Sequence, residues 1–293
     1  MLKSAQLRGM ICGARIAMAV AGVALLAPAA RAQAPRDVIL ATTTSTQDTG
    51  LLDSLVPRFE RSCRCRVKTI AVGTGQSLAI GARGEADVVL VHAPSLERKY
   101  VADGTFVGRR LVMTNDFIIV GPSTDPAGIR SERQVTDAFR RLAGGGAAFA
   151  SRGDSSGTNI LELNLWKRAG VTPSGLWYLE IGQGMGATLR IASEKRAYTL
   201  TDRGTYLALR GTLDLVILFE GTPDLRNIYH VMLPNPDIFP SLNRAGGEAF
   251  ADFMVAPVTQ AFIRRFGVGK FGQPLFVPAA GMAEEQLSPA PTR

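Results

Sequence analysis

The chain has 293 residues, 46% hydrophobic and 20% charged, with 33 Lys and Arg against 25 Asp and Glu. No run of Lys and Arg interleaved with aromatics suggests nucleic acid, and with only 2 His a catalytic or metal constellation has little raw material. The formal charge of +8 falls to +4 once the four basic residues of the first 32 are set aside, which is ordinary surface charge or a mild attraction for anions.

The N-terminus carries Lys3, Arg8 and Arg15, then the apolar run IAMAVAGVALLA at 16–27, then PAARA with small residues at Ala30 and Ala32. This is the pattern of a secretory signal peptide, 1–32, cut after Ala32. The run is shorter than the ~20 residues a membrane-spanning helix needs, so the mature protein is expected to be soluble and periplasmic. Cys12 lacks the preceding small residue of a lipoprotein cleavage site.

Beyond the leader, DVILAT (37–42) reads as a strand, followed by a helix with Leu51, Leu52, Leu55, Val56 and Phe59 on one face. Cys63 and Cys65 are spaced too closely for a zinc site; they either pair, with strain, or stay as structural strand residues, and the latter is preferred. CRVKTIAVGT (65–74) is the next strand, QSLAIGAR a short helix closed by Gly84, and ADVVLVHA a fully apolar strand. This βαβαβ order predicts a mainly parallel sheet with helices on its faces.

LVMTNDFIIVGP (111–122) reads as a strand crossing into a second region. There AAFASR (147–152) precedes a helix at 158–168, LWYLEIGQ precedes one near 187–195, and a helix at 203–210 leads to the strand LDLVILFEG. The expected fold is two α/β lobes, lobe 1 at 33–115 and 221–278 and lobe 2 at 116–220, with room for a ligand cleft between lobes. The stretch 279–293 lacks core residues and reads as a loose tail.

Four strand-to-helix junctions are rich in donors: TTTSTQDTG (42–50), VGTGQS (72–77), SRGDSSGTN (151–159) and GQGMGAT (182–188). Helix N-termini present free N–H groups and partial positive charge, and glycines let a ligand approach the backbone. Ser, Thr, Asp and Gly also simply cap helices, but four such segments in one chain favour a shared anion site.

In the third junction Arg152 offers a charged fork, Ser155, Ser156 and Thr158 offer hydroxyls, and Gly157 permits close approach. GDSSG also fits the nucleophile elbow of a secreted serine hydrolase with Ser155 as nucleophile. That reading needs a later His; only His230 qualifies, and it lies in NIYHVML, a strand interior. His92, closing ADVVLVHA, either lines the cleft or is a loop-end residue with local partners, and the latter is preferred; Asp48, Asp53 and Asp87 read as capping or helix-dipole residues.

Taken in order, TTTSTQDTGLLD, AVGTGQSLAIGARGEADVVLVHAP, MTNDFIIVGP, FASRGDSSGTN, WYLEIGQGMGATL and YTLTDRGTYLAL resemble the tungstate-binding proteins of bacterial ABC importers, over about residues 37–275. The resemblance implies a periplasmic binding protein of type II, no enzyme and no cofactor, that closes on an oxyanion and docks on a membrane permease; we expect a monomer. It assigns ligand contacts to Thr44, Ser45, Thr74, Gly75, Arg152, Ser155, Ser156, Gly157, Thr158 and Arg203.

Tungstate carries no proton at neutral pH, so its pocket should supply donors and avoid unpaired carboxylates, whereas phosphate rewards an acceptor. Phosphate-binding proteins share the Arg and SGT turn, so phosphate is the alternative cargo. An inward Asp154 would favour it. An Asp154 that caps its helix or pairs with Arg152 favours tungstate, from which molybdate differs little.

Overall fold

A computed structural model describes residues 37–284 and 287. The expected signal peptide, and residues 33–36 of lobe 1, lie outside these.

The first elements are β1 (Val38–Thr43), α1 (Thr44–Asp48), α2 (Leu51–Cys63), β2 (Val67–Val72), α3 (Thr74–Ala82), β3 (Val88–Val91) and α4 (Pro94–Ala102). In α2, Leu51, Leu52, Leu55 and Phe59 are buried, as the helical spacing predicts, and the amphipathic face packs on the sheet. β2 ends at Val72 and α3 begins at Thr74, so VGTGQS is a strand-to-helix junction as expected, with the strand stopping and the helix starting two residues earlier than read.

Next comes β4 (Phe106–Gly121), which starts five residues before the expected strand. Phe106 to Asp116 pair with β9 (defined below as Arg226–Pro234), and Phe117 to Gly121 pair with two other strands. The partner switch between Asp116 and Phe117 is where the chain passes from one part of the sheet to the other. Gly108, Arg109 and Arg110 hide the strand's beginning, because register shifts on either side of them break the alternation.

The second region holds α5 (Val135–Gly144), β5 (Phe149–Ser151), α6 (Gly157–Arg168), β6 (Tyr178–Glu180), α7 (Met185–Glu194), β7 (Thr199–Asp202), α8 (Arg203–Leu209) and β8 (Val216–Phe219). Its core gathers Phe139, Phe149, Trp166 and Tyr198. The chain then returns as β9 (Arg226–Pro234), followed by α9 (Arg244–Val255), α10 (Pro257–Ile263), α11 (Val268–Phe271) and β10 (Val277–Pro278). Phe250 and Met254 of α9 pack with Leu40, Phe59 and Val88, so the C-terminal helices complete the first core.

The sheets are mixed, which corrects the expectation of mainly parallel ones. Parallel ladders join β1 to β2 and β3, and β5 to β6, where helices link successive strands. β9 enters antiparallel to β3 and to β4, and β7 and β8 run antiparallel to β4. Strands that carry the chain between regions need no crossover helix and run against those that do.

Two further expectations change. Cys63 ends a helix, not a strand, and is bonded to Cys65 across Arg64, whose φ of 54° makes the turn. The described residues after 278 are anchored, not loose: Glu284 pairs with Arg98 and Arg109, and Leu287 packs with Ile228 and Ala279. Its few apolar residues suffice because a carboxylate clasps it to the half-buried Arg109.

Candidate functional site

Each donor-rich junction becomes a helix N-terminus, and the fold brings all four into contact. At the first, the Thr43 hydroxyl accepts from the Thr46 N–H and lies 3.1 Å from Ser45 Oγ, which is 3.1 Å from His92 Nε2. At the second, Gly73 offers α3 no side-chain cap, and Thr74 Oγ1 is buried without a partner among the described residues.

The third junction has the strongest electrostatics. Arg152 is only 2% exposed, pairs with Asp154 and lies 3.5 Å from Thr44 Oγ1, while its Nε has no partner among the described residues. Asp154 also accepts from the Ser156 N–H at 3.1 Å. Ser156 caps α6 through the Asn159 N–H, and Ser155, exposed at φ 57°, donates its N–H to Asn159 Oδ1. Thr158 Oγ1 is buried without a partner among the described residues.

The junctions touch closely enough that glycine is required. A Cβ on Gly157 would lie 2.9 Å from the His92 carbonyl oxygen and 3.1 Å from Thr74 Oγ1; one on Gly75 would lie 3.3 Å from the Ser155 carbonyl oxygen. The fourth junction is tied to the third by Gly182 N–H donating to the Arg152 carbonyl at 2.7 Å. Gly184 meets Thr44, its Cβ position being 3.2 Å from Thr44 Oγ1.

Thr44, Ser45, Thr74, Gly75, Arg152, Ser155, Ser156, Gly157 and Thr158 therefore belong to one cluster. Arg203 does not join it. Its guanidinium forks onto Asp116 at 2.7 and 2.6 Å and also pairs with Glu220, which raises its pKa further. As the first residue of α8 it faces the two passages between regions, and it pins both of them.

Several participants lie outside the assigned contacts. His92 is buried, and desolvation followed by the nearby Arg152 lowers its pKa to about 3, so the ring is neutral and can serve Ser45 without adding charge. Asp202 caps α8 through the Thr205 N–H at 2.8 Å; burial pushes its carboxyl up to about 6. An Asp just before the helix in TDRGT is the one sequence signal for this fifth helix start. Beneath the third junction Glu162, raised to about 7 by burial, accepts from Ser151, Trp166 and Tyr178. A lone helical Glu gives no sequence signal for that, since two of its donors come from β5 and β6.

Among the described residues, the hydrolase reading finds no contact between Ser155 and the His230 it requires. The polar contacts of His230 are to Glu97, Arg109 and Glu284, and none is to Ser155.

A family model described as a PBP superfamily domain matches residues 28–258. The tungstate-binding protein TupA of Peptoclostridium acidaminophilum is 44% identical over 252 residues, 85% of this chain and 88% of that protein. The chain belongs to this family of tungstate-binding periplasmic proteins. Among solved structures, the tungstate ABC transporter protein from Geobacter sulfurreducens is 51% identical, with a TM-score of 0.72, covering 78% of this chain and 98% of that one. Tungstate binding protein TupA from Desulfovibrio alaskensis G20 is 40% identical at a TM-score of 0.69, covering 84% and 99%. These relatives are binding proteins and share the two-lobed fold. No helix among the described residues is long and apolar enough to cross a membrane.

Proposed function

We propose that this chain captures tungstate, with molybdate as a second cargo, and delivers it to the permease of an ABC importer as a periplasmic monomer exported by cleavage after Ala32. Lobe 1 comprises 33–115 and 221–278, lobe 2 comprises 116–220, and the junction cluster between them holds the anion. The contacts are the nine clustered residues, with Arg203 acting on the passages between lobes.

The observation that carries this reading is the buried Arg152 with both oxygens of Asp154 engaged. Asp154 already offsets the charge of this buried cation, while the Arg152 Nε, without a partner among the described residues, is a donor left for an oxyanion. One oxygen of Asp154 faces Arg152 and the other accepts from Ser156. The acceptor that would favour a protonated phosphate is thus already used, while N–H and hydroxyl donors remain for a proton-free dianion.

Calorimetric titration of the mature protein with tungstate, molybdate, sulfate and phosphate tests this. Tight binding of tungstate is expected. Absence of tight binding to any of the four would remove the transport reading, and tightest binding to phosphate would overturn the role given to Asp154.

A further inference from the structure

α7 starts at Met185 behind Gly184, which has no side chain with which to cap the helix. The first N–H groups of such a helix need acceptors, and its N-terminus favours negative charge. The acceptor comes from α1, on the other side of the cleft. The Asp48 carboxylate lies against the backbone of Gly186, whose Cβ position is 3.1 Å from Asp48 Oδ2, and the Gly186 N–H favours its charged form.

Two glycines make this approach possible, because Gly184 lies against Thr44 just as Gly186 lies against Asp48. The same short helix touches α8: Thr205 Oγ1 donates to the Ser45 carbonyl at 3.4 Å. Beside these contacts is a crevice of about 270 Å³ whose lining includes Thr44, Asp48 and Arg190. Asp48 is exposed at its rim, with Arg190 as a cationic neighbour on α7 and Arg152 on the cleft side.

We propose that Asp48 is a closure latch: a positioning residue that caps α7 from the opposite lobe and holds the cleft shut, so that it governs how fast the anion leaves. This rests on reading the junction cluster as an anion cleft. It gives GQGMGAT a role other than donating to the anion, since the second residue of α7 faces a carboxylate of the protein itself.

The test compares wild type with Asp48→Ala, Asp48→Asn and Gly186→Ala. It measures tungstate dissociation by stopped flow, the radius of gyration of the anion-free protein by X-ray scattering, and the anion-free melting temperature. Asp48→Ala should raise the dissociation rate about tenfold, as loss of a charged hydrogen bond does, and enlarge the anion-free protein. Asp48→Asn, which keeps an acceptor, should restore most of both.

Gly186→Ala should reproduce the faster release without a lower melting temperature, because alanine favours the helix while its methyl pushes α1 away. Unchanged dissociation and scattering in Asp48→Ala would overturn the latch, as would a lower melting temperature as the sole effect. If wild type binds no oxyanion, the transport reading falls; the scattering comparison then decides the latch alone, an enlarged variant supporting it and an unchanged one refuting it.

Discussion

Replacing Arg152 by alanine should weaken tungstate binding far more than replacing Ser155. Arg152 is 2% exposed with its Nε unpartnered among the described residues, whereas Ser155 is exposed and its N–H is already bound to Asn159. Hydrogen bonds to charged groups contribute ~1.5–3 kcal/mol each, so loss of a two-pronged contact costs about 3 kcal/mol, or about a hundredfold in Kd. Loss of one neutral hydroxyl contact costs ~1 kcal/mol, about fivefold. Arg152→Met separates charge from bulk: it should bind as poorly as Arg152→Ala yet melt closer to wild type, because the methionine still fills the buried space. Calorimetry for Kd and thermal melts without anion supply both readouts. Equal losses in Arg152→Ala and Ser155→Ala would refute the argument and make Arg152 a structural residue.

Gly157→Ala should abolish tight binding and destabilise the protein by ~1–3 kcal/mol, since its Cβ would meet the His92 backbone carbonyl, which cannot swing aside; denaturant melts and calorimetry check this. Arg203→Met should lower stability by about 1 kcal/mol while leaving tungstate affinity within about fivefold, because its forked pairing is with Asp116 and Glu220; a hundredfold loss of affinity would place it among the contacts instead. Glu162, raised to about 7 from 4.5, binds its proton more tightly folded than unfolded, so it erodes stability as pH rises from 4.5 to 7. Glu162→Gln should therefore gain on wild type across that window and stay level above it, as denaturant titrations at several pH values would show. His92 has the opposite sign: lowered from 6.5 to about 3, it withdraws stability as pH falls through that interval, and His92→Phe should flatten that limb. A thousandfold excess of tungstate over Kd should stabilise the protein by ~4 kcal/mol in thermal melts.

The junctions were legible because each combines an apolar strand, a cluster of small donors and a helical period within about ten residues. That is local information, and it survived folding. What failed was nonlocal. The start of β4 is disguised by Gly108, Arg109 and Arg110, and makes sense only beside β9. β7 was passed over, because Thr199, Leu200 and Thr201 are too short a run to stand out until they pair with β4. α5 was passed over, although Val135, Ala138, Phe139 and Leu142 have helical spacing. His92 and Glu162 acquire their roles from partners 47 and 11 residues away, Ser45 and Ser151, and no spacing rule connects them. Arg203 was misplaced for the same reason: a basic residue at a helix start looks like an anion contact until Asp116 and Glu220 are beside it.

The position of β9 has a consequence for the order in which this protein can fold. β3 gains its second neighbour, beside β1, only when Val89, Leu90 and Val91 meet Met232, Val231 and His230, more than 130 residues later in the chain. Until the last third of the chain is available, β3 has an open edge and the β1, β2, β3 unit lacks the cover of α9. Such distant pairings close slowly, so the first half must remain unfinished, with apolar strands exposed, for as long as the second half is missing. Chaperone dependence should accordingly track the arrival of residues 226–255, and a fragment ending before Arg226 should aggregate instead of folding as a half-protein.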